Sequence, residues 1–372
     1  MQKIVYLSTP ITSQFGGGEV FLDNFTDRIN SEHIFVGGSK AVFDLFQSKK
    51  YKVILSFAGF EPVSPLNLLL FPISIVLGFA QFARFFDVLK SADVIISPTS
   101  HCETFFVIPW IKFFLHKKII FMVHSANVPR LFTIPPLNFL LSKCWGNSSV
   151  VFVSNSQKEL WNSAGCVSQN QIVIYNGVKI FDFEPRMNIS DEIKIGFLGR
   201  LHTDKGCEIL LESLTRIKSS EKIRVIIGGD GPEKESLKAK LSSLNLTKSI
   251  SVEFVGFVAD TKSFLEGLDL FVFPSRRESF GLVICEAMER GVSVLSSDIP
   301  SSIEVKSVVN DYQQTALTFG NNNSDDLASK IDYFLQNKNE YLNPEYKTKL
   351  HTIIEQNFGF ENTITSYQNI LD

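Results

Sequence analysis

Short apolar segments separated by longer helical patterns recur along almost the whole chain, and this alternation restricts the fold more than any other feature. The first series of segments comprises Lys3–Ser8, His33–Val36, Lys52–Ser56, Asp93–Ser97, Lys118–Val123 and Ser149–Val153. Each is short, β-branched and apolar without polar alternation, which is typical of strands buried on both faces of a parallel sheet. Because the intervening stretches are long enough for crossover helices, the pattern predicts a doubly wound α/β sheet.

The alternation begins again after the more polar stretch Lys179–Glu192. Further strands are predicted at Ile193–Leu198, Ile223–Ile227, Val252–Val255, Leu270–Phe273 and Val292–Ser296. We therefore predict two Rossmann-like domains, an N-terminal domain at residues 1–178 and a C-terminal domain at 179–355. An apolar stripe predicts a last helix over 356–372, and we expect it to pack back on the N-terminal domain. Two such domains imply a cleft outside the carboxyl ends of both sheets, where ligands of doubly wound folds bind.

Length and charge narrow the class of protein. A chain of 372 residues suits two domains of ordinary size. Its 36 basic and 39 acidic residues give a net charge of −3, which argues against a nucleic-acid partner because such proteins need a basic face. The five cysteines form no CxxC pair, so neither a zinc site nor a disulfide framework is indicated. Buried free thiols in a reducing cytoplasm are expected.

The segment Pro62–Ala83 carries no charge over 22 residues, long enough to span a bilayer. Its three prolines and its polar Asn67 and Gln81 leave two other interpretations, a helix at the membrane interface and an ordinary buried helix. With Trp110–Lys118 it would form a membrane-facing surface, or both segments would pack in the core. The start, Met1–Pro10, is typical of a first strand rather than a signal peptide. We expect a cytoplasmic protein, with peripheral contact at the inner face of the cytoplasmic membrane left open.

Two glutamates flank the turn that follows the predicted strand Leu270–Phe273. Glu278 precedes Gly281, and Glu286 lies on the helix that follows. The free N–H groups of Ser279–Leu282 and the helix dipole favour an anion, for which a diphosphate is the natural candidate. The two carboxylates would then accept hydrogen bonds from a sugar on one side and a ribose on the other. Alternatively, Glu278 only flanks the helix start and Glu286 is a solvated helix residue.

Other strand ends carry further candidates. Arg200 and Lys205, in the loop after a strand, can both reach a pair of phosphates, or are ordinary surface cations. The turn Gly16-Gly17-Gly18 allows the backbone to approach phosphate or sugar closely, but it does not match the GxGxxG motif of nicotinamide sites. His124 ends a strand at the cleft edge, or is a core-edge histidine. His101-Cys102-Glu103 has no second ligand cluster, so no metal site is predicted.

Taken together, these motifs resemble the C-terminal half of retaining glycosyltransferase family 4. The resemblance is carried by Glu278-x7-Glu286 around Phe280-Gly281, Gly199-Arg-Leu…Lys205-Gly, Gly228-Gly-Asp-Gly-Pro232, Val255-Gly-Phe-Val258 and Tyr175-Asn-Gly-Val178. The N-terminal half is similar more loosely, through Gly16–Gly18, His124 and Val153-Ser154. The chain departs from the family at Asp298–Glu304, where a glycine-rich turn is common, and at the unusual pair Arg276-Arg277. The resemblance implies the GT-B fold.

The resemblance also implies roles for individual residues. Four would take part in catalysis, namely Glu278, His124, Arg200 and Lys205. The donor would contact Gly16, Gly17, Arg200, Lys205, Phe257, Val258, Glu278, Ser279, Phe280, Gly281, Leu282 and Glu286. Arg200 and Lys205 would neutralise the departing diphosphate, Glu286 would bind the ribose and Glu278 the transferred sugar. The Phe257-Val258 pair would lie near the nucleobase of the donor. His124 and Gly17 would close over the sugar from the N-terminal domain.

The implied reaction is transfer of a sugar, with retention of configuration, from a UDP- or GDP-sugar to a glycan or lipid-linked acceptor in bacterial surface polysaccharide synthesis. No DxD motif follows a predicted strand, so we expect metal-independent transfer without a cofactor. Two alternatives remain open. A nucleotide-sugar epimerase on the same fold would turn over the donor without any acceptor. A catalytically silent subunit would bind a membrane or a partner enzyme, but would have little reason to keep Arg200, Lys205, Glu278 and Glu286.

Overall fold

The computed structural model of this chain describes residues 1–8, 17–37, 52–54, 71–98, 107–128, 133, 135, 137–185, 191–309 and 317–372. The chain forms two compact units. Unit 1 comprises Met1–Tyr175 and Thr363–Asp372, and unit 2 comprises Asn176–Asn362. The chain therefore leaves unit 1 after Tyr175 and returns to it at Thr363. The sequence predicts the first of these boundaries three residues later, after residue 178.

Unit 1 contains a parallel sheet with helices in its crossovers. Its described strands are β1 (Lys3–Ser8), β2 (Glu32–Gly37), β3 (Lys52–Ile54), β4 (Val94–Pro98), β5 (Lys118–Val123), β6 (Ser149–Phe152) and β7 (Asn170–Val173). Its described helices are α1 (Gly17–Arg28), α2 (Phe71–Arg84), α3 (Phe86–Ser91), α4 (Ile108–Phe114), α5 (Leu137–Trp145) and α6 (Asn155–Ser163). The order β3-β2-β1-β4-β5-β6-β7 changes direction between β1 and β4, which is the switch point of a doubly wound sheet.

The central strands of unit 1 are buried on both faces, which accounts for their uninterrupted apolar sequence. In β5 every residue after Lys118 is buried. Large aromatic side chains fill the space between sheet and helices: Trp145 of α5 lies 5.7 Å from Trp161 of α6 and 6.3 Å from Phe152 of β6, measured between ring centroids. Each such buried side chain stabilises the fold by about 1.5–3 kcal/mol.

Unit 2 contains a second parallel sheet, of the order β10-β9-β8-β11-β12-β13. Its described strands are β8 (Glu192–Leu198), β9 (Lys222–Gly228), β10 (Ile250–Gly256), β11 (Leu270–Phe273), β12 (Ser293–Ser297) and β13 (Thr318–Phe319). Its described helices are α7 (Cys207–Leu214), α8 (Lys234–Ser243), α9 (Thr261–Glu266), α10 (Leu282–Glu289), α11 (Pro300–Val309), α12 (Ser324–Gln336), α13 (Lys338–Tyr341) and α14 (Pro344–Phe358). The prediction of two doubly wound parallel sheets is confirmed.

The switch point of unit 2 lies between β8 and β11, whose registers pair Leu270 with Ile195 and Phe271 with Gly196. A Cβ on Gly196 would lie 2.1 Å from a terminal methyl carbon of Leu268, so a larger residue here would force the Leu268 side chain to move. Because the two strands run side by side, the loops that follow them begin next to each other. The sheet therefore brings together parts of the chain that lie more than 70 residues apart.

The last helix, α15 (Phe360–Leu371), begins in unit 2 and continues into unit 1. Its Tyr367 is buried, with its ring centroid 5.1 Å from that of Phe25 on α1. The carbonyl oxygen of Leu371 accepts hydrogen bonds from Gln2 Nε2 at 3.1 Å and from Lys118 Nζ at 3.0 Å. The final turns of α15 are thus tied to the beginning of unit 1 and to β5.

Two strands were not predicted, and both lie at sheet edges. β7 begins with two polar residues and is only half-buried, and β13 has two residues, too few for a pattern. Of the uncharged segment Pro62–Ala83, residues 62–70 lie outside the described part of the chain, and the rest belongs to α2. In the described ranges, every helix is too short or too polar to cross a bilayer.

Candidate active site

The carboxyl ends of β8 and β11 bring a cation and a carboxylate into contact. Lys205 ends a short 3-10 turn, Thr203–Lys205, after β8, and Glu278 lies in the loop after β11. Lys205 Nζ donates to Glu278 Oε1, although the two residues are 73 positions apart. Ser275 Oγ donates to the same oxygen at 3.1 Å. The structure thus assembles at the switch point two residues that the resemblance assigns to the site.

The close approach of the two loops depends on Gly206. This residue has φ +65°, and a Cβ added to it would lie 2.1 Å from the carbonyl oxygen of Pro274. From the other side, Ser297 Oγ of β12 donates to the carbonyl oxygen of Ser275 at 2.5 Å. The loop that carries Glu278 is therefore held by the neighbouring loop and by the neighbouring strand, which places the carboxylate accurately.

The Gly228–Pro232 motif joins the loops after β8, β9 and β10. Gly199 N donates to Gly228 O at 3.1 Å, and Gly229 N donates to Gly256 O at 2.7 Å. A Cβ on Gly229, whose φ is +133°, would lie 1.8 Å from Gly199 O, so these backbones can approach only at glycine. Beyond β10 the Phe257 side chain is 80% exposed, an apolar ring open to a stacking partner.

Helix α10 begins at the end of the loop that follows β11 and carries Glu278. Gly281, at φ +92°, precedes the helix and has no side chain that could accept a hydrogen bond from the first N–H groups of α10. Phe280 is buried and packs edge-on against Phe358 of α14, with ring centroids 5.7 Å apart. An uncapped helix start with its positive dipole end suits an anion such as a phosphate group.

Glu286 is half-buried one turn into α10, so it is not a solvated surface residue. Burial, with a smaller contribution from Glu289, raises the pKa of its carboxyl to about 7. Among the described residues no side chain or backbone group donates a hydrogen bond to this carboxylate. A half-buried carboxylate without a donor from the protein is suited to accept hydrogen bonds from the hydroxyl groups of a ligand.

The other predicted site residues are placed as follows. Arg200 is exposed at the start of the loop that carries Lys205, and Val258 is half-buried beside Phe257. His124 of unit 1 follows β5, and its ring centroid lies 5.3 Å from that of Phe21 on α1. Burial lowers the pKa of His124 to about 4, and its Nε2 has no hydrogen-bond partner among the described residues. Gly17 begins α1, and Gly16 lies outside the described residues.

Sequence reasoning missed the side chains that hold the two loops together. Ser275 and Ser297 have no distinctive spacing, so no sequence signal points to them. Arg276 makes several contacts across the loops, and its one signal is the unusual Arg276-Arg277 pair before Glu278. Within the described ranges, no three His, Cys, Asp or Glu side chains cluster in a way that would hold a metal ion. The assigned roles in binding and catalysis stay predictions.

Two units that each contain a doubly wound parallel sheet define the GT-B fold. Residues 179–351, which are 173 of the 372, match the family described as glycosyl transferases group 1. The chain is a glycosyltransferase, and its residues 179–351, which lie within unit 2, are similar to the group 1 family.

Relatives and solved structures agree with this assignment. The chain is 27% identical over 305 residues to an O-antigen biosynthesis glycosyltransferase, WclY, of Escherichia coli, covering 76% of this chain and 79% of the relative. It is 26% identical over 208 residues, 52% of each chain, to the N,N'-diacetylbacillosaminyl-diphospho-undecaprenol α-1,3-N-acetylgalactosaminyltransferase of Campylobacter jejuni. Its fold matches that of HepE from Anabaena, solved with UDP and glucose, with a TM-score of 0.78 at 20% identity over 100% of this chain and 99% of HepE.

Proposed function

We propose that this chain is a retaining, family 4 glycosyltransferase that moves a sugar from a UDP- or GDP-sugar to a glycan or lipid-linked acceptor in bacterial surface polysaccharide synthesis. The contact between Lys205 and Glu278 beside the uncapped start of α10 carries the proposal. The names of the relatives support it: WclY is an O-antigen glycosyltransferase, and the Campylobacter enzyme uses an undecaprenol-linked acceptor. HepE, which has the same fold, is solved with UDP and glucose.

The charges at the switch point suit the departure of a nucleoside diphosphate. Negative charge grows on the diphosphate as its bond to the sugar C1 breaks, and Lys205, Arg200 and the N–H groups of α10 offset that charge. This compensation needs no metal ion, so we propose metal-independent transfer. The acceptor oxygen forms its bond to C1 on the face that the diphosphate leaves, and the acceptor proton passes to the leaving phosphate oxygen. Glu278 accepts hydrogen bonds from the sugar hydroxyls.

Glu286 provides the test of donor binding, and Glu286→Gln is expected to change stability and affinity in opposite directions. A carboxyl whose pKa rises on folding stabilises the fold fully below its unfolded pKa of 4.5, and this contribution is lost as the pH rises through about 7. The glutamine variant should therefore be more stable than wild type by about 2 kcal/mol at pH 8 and nearly equal at pH 4.5. Thermal unfolding at the two pH values measures this difference.

The same variant should bind nucleotide at least ~10-fold more weakly, because an amide offers one acceptor oxygen where the carboxylate offers two charged ones. Titration calorimetry with UDP and GDP on wild type and Glu286→Gln measures the loss of nucleotide affinity and shows whether the protein prefers uracil or guanine. Glu355→Gln, which alters an exposed carboxylate on α14, is the control and should change neither quantity. Equal nucleotide affinity in wild type and Glu286→Gln would remove Glu286 from the donor site.

We also propose peripheral membrane contact through the aromatic surface of unit 1, defined here by Val76, Phe79, Phe113 and Phe114. These side chains on α2 and α4 are 67%, 44%, 71% and 50% exposed. Phe79 lies 4.9 Å from Trp110 of α4, measured between ring centroids, so the surface is continuous across both helices. An apolar, aromatic surface on amphipathic helices binds at the boundary between headgroups and acyl chains. A lipid-linked acceptor would be met there.

The double variant Val76→Ser/Phe113→Ser is expected to bind vesicles of phosphatidylglycerol and phosphatidylcholine at least ~10-fold more weakly than wild type, since two apolar side chains are lost from the membrane contact. Flotation of the full chain with such vesicles measures the partition. Tyr333→Ser, which removes a half-exposed ring from unit 2, is the matched control. Unchanged flotation of the double variant would show that these side chains do not contact the membrane.

A further inference from the structure

The guanidinium of Arg276 joins three loops at the carboxyl edge of the second sheet. Its Nη1 donates to the carbonyl oxygen of Thr203 and pairs with Glu208 Oε1 at the start of α7. Its Nε donates to Asn322 Oδ1 at 2.5 Å, in the loop after β13. The backbone takes part as well, since Arg276 N donates to Asp204 O at 2.8 Å. One residue thus contacts the loops that follow β8 and β13 while it lies in the loop that follows β11.

Neighbouring residues extend these ties. Asn321 Nδ2 donates to the carbonyl oxygen of Arg276 at 3.3 Å, and Asn321 N donates to Asp298 Oδ1 at 2.7 Å. Arg277 Nη2 pairs with Asp204 Oδ1 at 2.7 Å, and this bond holds the pKa of Asp204 below its ordinary value. Asn322 adopts φ +61°, a left-handed conformation that a non-glycine residue keeps when its surroundings hold it there.

The position of Arg276 in the sequence connects these ties to the site. Thr203 and Asp204 directly precede Lys205, and Arg276 lies two residues before Glu278. A tie between Arg276 and the Thr203–Lys205 turn therefore fixes the two loops whose tips meet at the Lys205–Glu278 contact. Arginine suits this task because its planar fork of N–H donors can reach several acceptors at once, which lysine cannot do.

We propose that Arg276 is a positioning residue, which keeps the Lys205 ammonium in place for the donor diphosphate and the Glu278 carboxylate in place for the transferred sugar. The inference rests on the proposed donor site, and Arg276 acts through Lys205 rather than on the nucleotide. The ion pair of Arg276 with Glu208 is partly exposed, at 28% and 25% of the two side chains, so its contribution to stability is modest and the main effect of Arg276 is expected in ligand binding. Misplacement of a binding group by about 1 Å is enough to lower its effect strongly.

The test is titration calorimetry of UDP, or GDP if wild type binds that base, on full-length variants. Arg276→Met is expected to weaken nucleotide binding ~10-fold. The nucleotide affinity of Arg276→Lys should remain within ~3-fold of that of Arg276→Met, because one ammonium cannot replace the planar set of guanidinium donors. The control is Arg216→Met, which removes another partly exposed arginine of unit 2 that pairs with Asp325 and Ser324. It should leave affinity unchanged. Equal affinity in Arg276→Met and wild type would overturn the inference.

A double-variant cycle separates positioning from direct contact. In a Lys205→Met background, Arg276→Met is expected to weaken nucleotide binding less than ~2-fold, because the ammonium that it positions is gone and the free nucleotides lack the sugar assigned to Glu278. A further ~10-fold loss in that background would show that Arg276 acts on the nucleotide itself or on the whole fold, and would overturn the inference.

If Arg276→Met does not fold, Glu208→Gln removes one partner of the guanidinium and should weaken nucleotide binding ~3-fold, against no change if the inference is wrong. A wild type that binds neither UDP nor GDP would instead refute the proposed function.

Discussion

Replacing Lys205 with alanine is expected to lower turnover of the donor by ~10²-fold or more. The ammonium is one of the charges that offset the diphosphate as it leaves, and loss of one such group typically costs two to three orders of magnitude in rate. Its removal also leaves the Glu278 carboxylate, whose side chain is only 15% exposed, without its cation. Turnover is measured as nucleoside diphosphate released from the donor sugar in the presence of acceptor.

Two variants make this prediction specific. Lys240 pairs with Glu212 in unit 2 and its side chain is 32% exposed, against 31% for Lys205, so Lys240→Ala is the matched control and should keep normal turnover. The exchanged pair Lys205→Glu/Glu278→Lys restores an ion pair but reverses the charges that face the donor. Turnover should stay low if both groups contact the donor. Recovery of activity in the exchanged pair would show that the contact only holds the loops together.

The substitution Lys306→Met is expected to stabilise the chain by about 3 kcal/mol at pH 7, equivalent to a rise of roughly 6–12 °C in Tm. Lys306 on α11 is 3% exposed, and none of the carboxylates in the described ranges forms an ion pair with it. Burial lowers its pKa to about 7. Its Nζ donates to Leu317 O at 2.6 Å, but that oxygen also accepts from Ser296 N at 3.0 Å and stays bonded in the variant.

The pH dependence has a definite sign. A base whose pKa falls on folding contributes stability that is present above its unfolded pKa of 10.5 and is lost as the pH falls through about 7. The advantage of Lys306→Met over wild type should therefore be largest at pH 7 and below, and should shrink towards pH 10. Lys306→Arg, which cannot lose its proton, should be less stable than wild type throughout. A pH-independent difference between Lys306→Met and wild type would show that Lys306 stays charged in the folded protein.

The architecture was predictable because strands buried on both faces must be apolar throughout. β1 and β5 have the bounds that the sequence indicates, and the second series of strands begins where the pattern restarts. β7 was missed because an edge strand needs no continuous apolar run, so its polar start hides it. Bounds of helices were less accurate: the predicted last helix, 356–372, corresponds to the end of α14 and the shorter helix α15. Helix ends depend on local hydrogen bonds that apolar periodicity does not record.

The candidate site was predictable only where its residues follow strand ends. Lys205 and Glu278 could be singled out because parallel strands deliver their carboxyl ends to one edge of the sheet. The ties through Arg276 and Asn322 were not predictable, since they join loops 46 residues apart in an arrangement that only packing determines. The burial of Lys306 was not predictable either, because a lysine within a helix ordinarily faces solvent.

The return of α15 to unit 1 has a consequence for the order in which the chain folds during synthesis. The ribosome makes β1 and α1 first, yet Tyr367, which packs on Phe25, emerges only after the whole of unit 2. Leu371, whose carbonyl oxygen accepts from Gln2 and Lys118, follows four residues later. Unit 1 is thus begun before unit 2 and completed after it, and until Tyr367 is made Phe21 and Phe25 lack the ring that packs on them in the folded chain, so this apolar surface is open to aggregation.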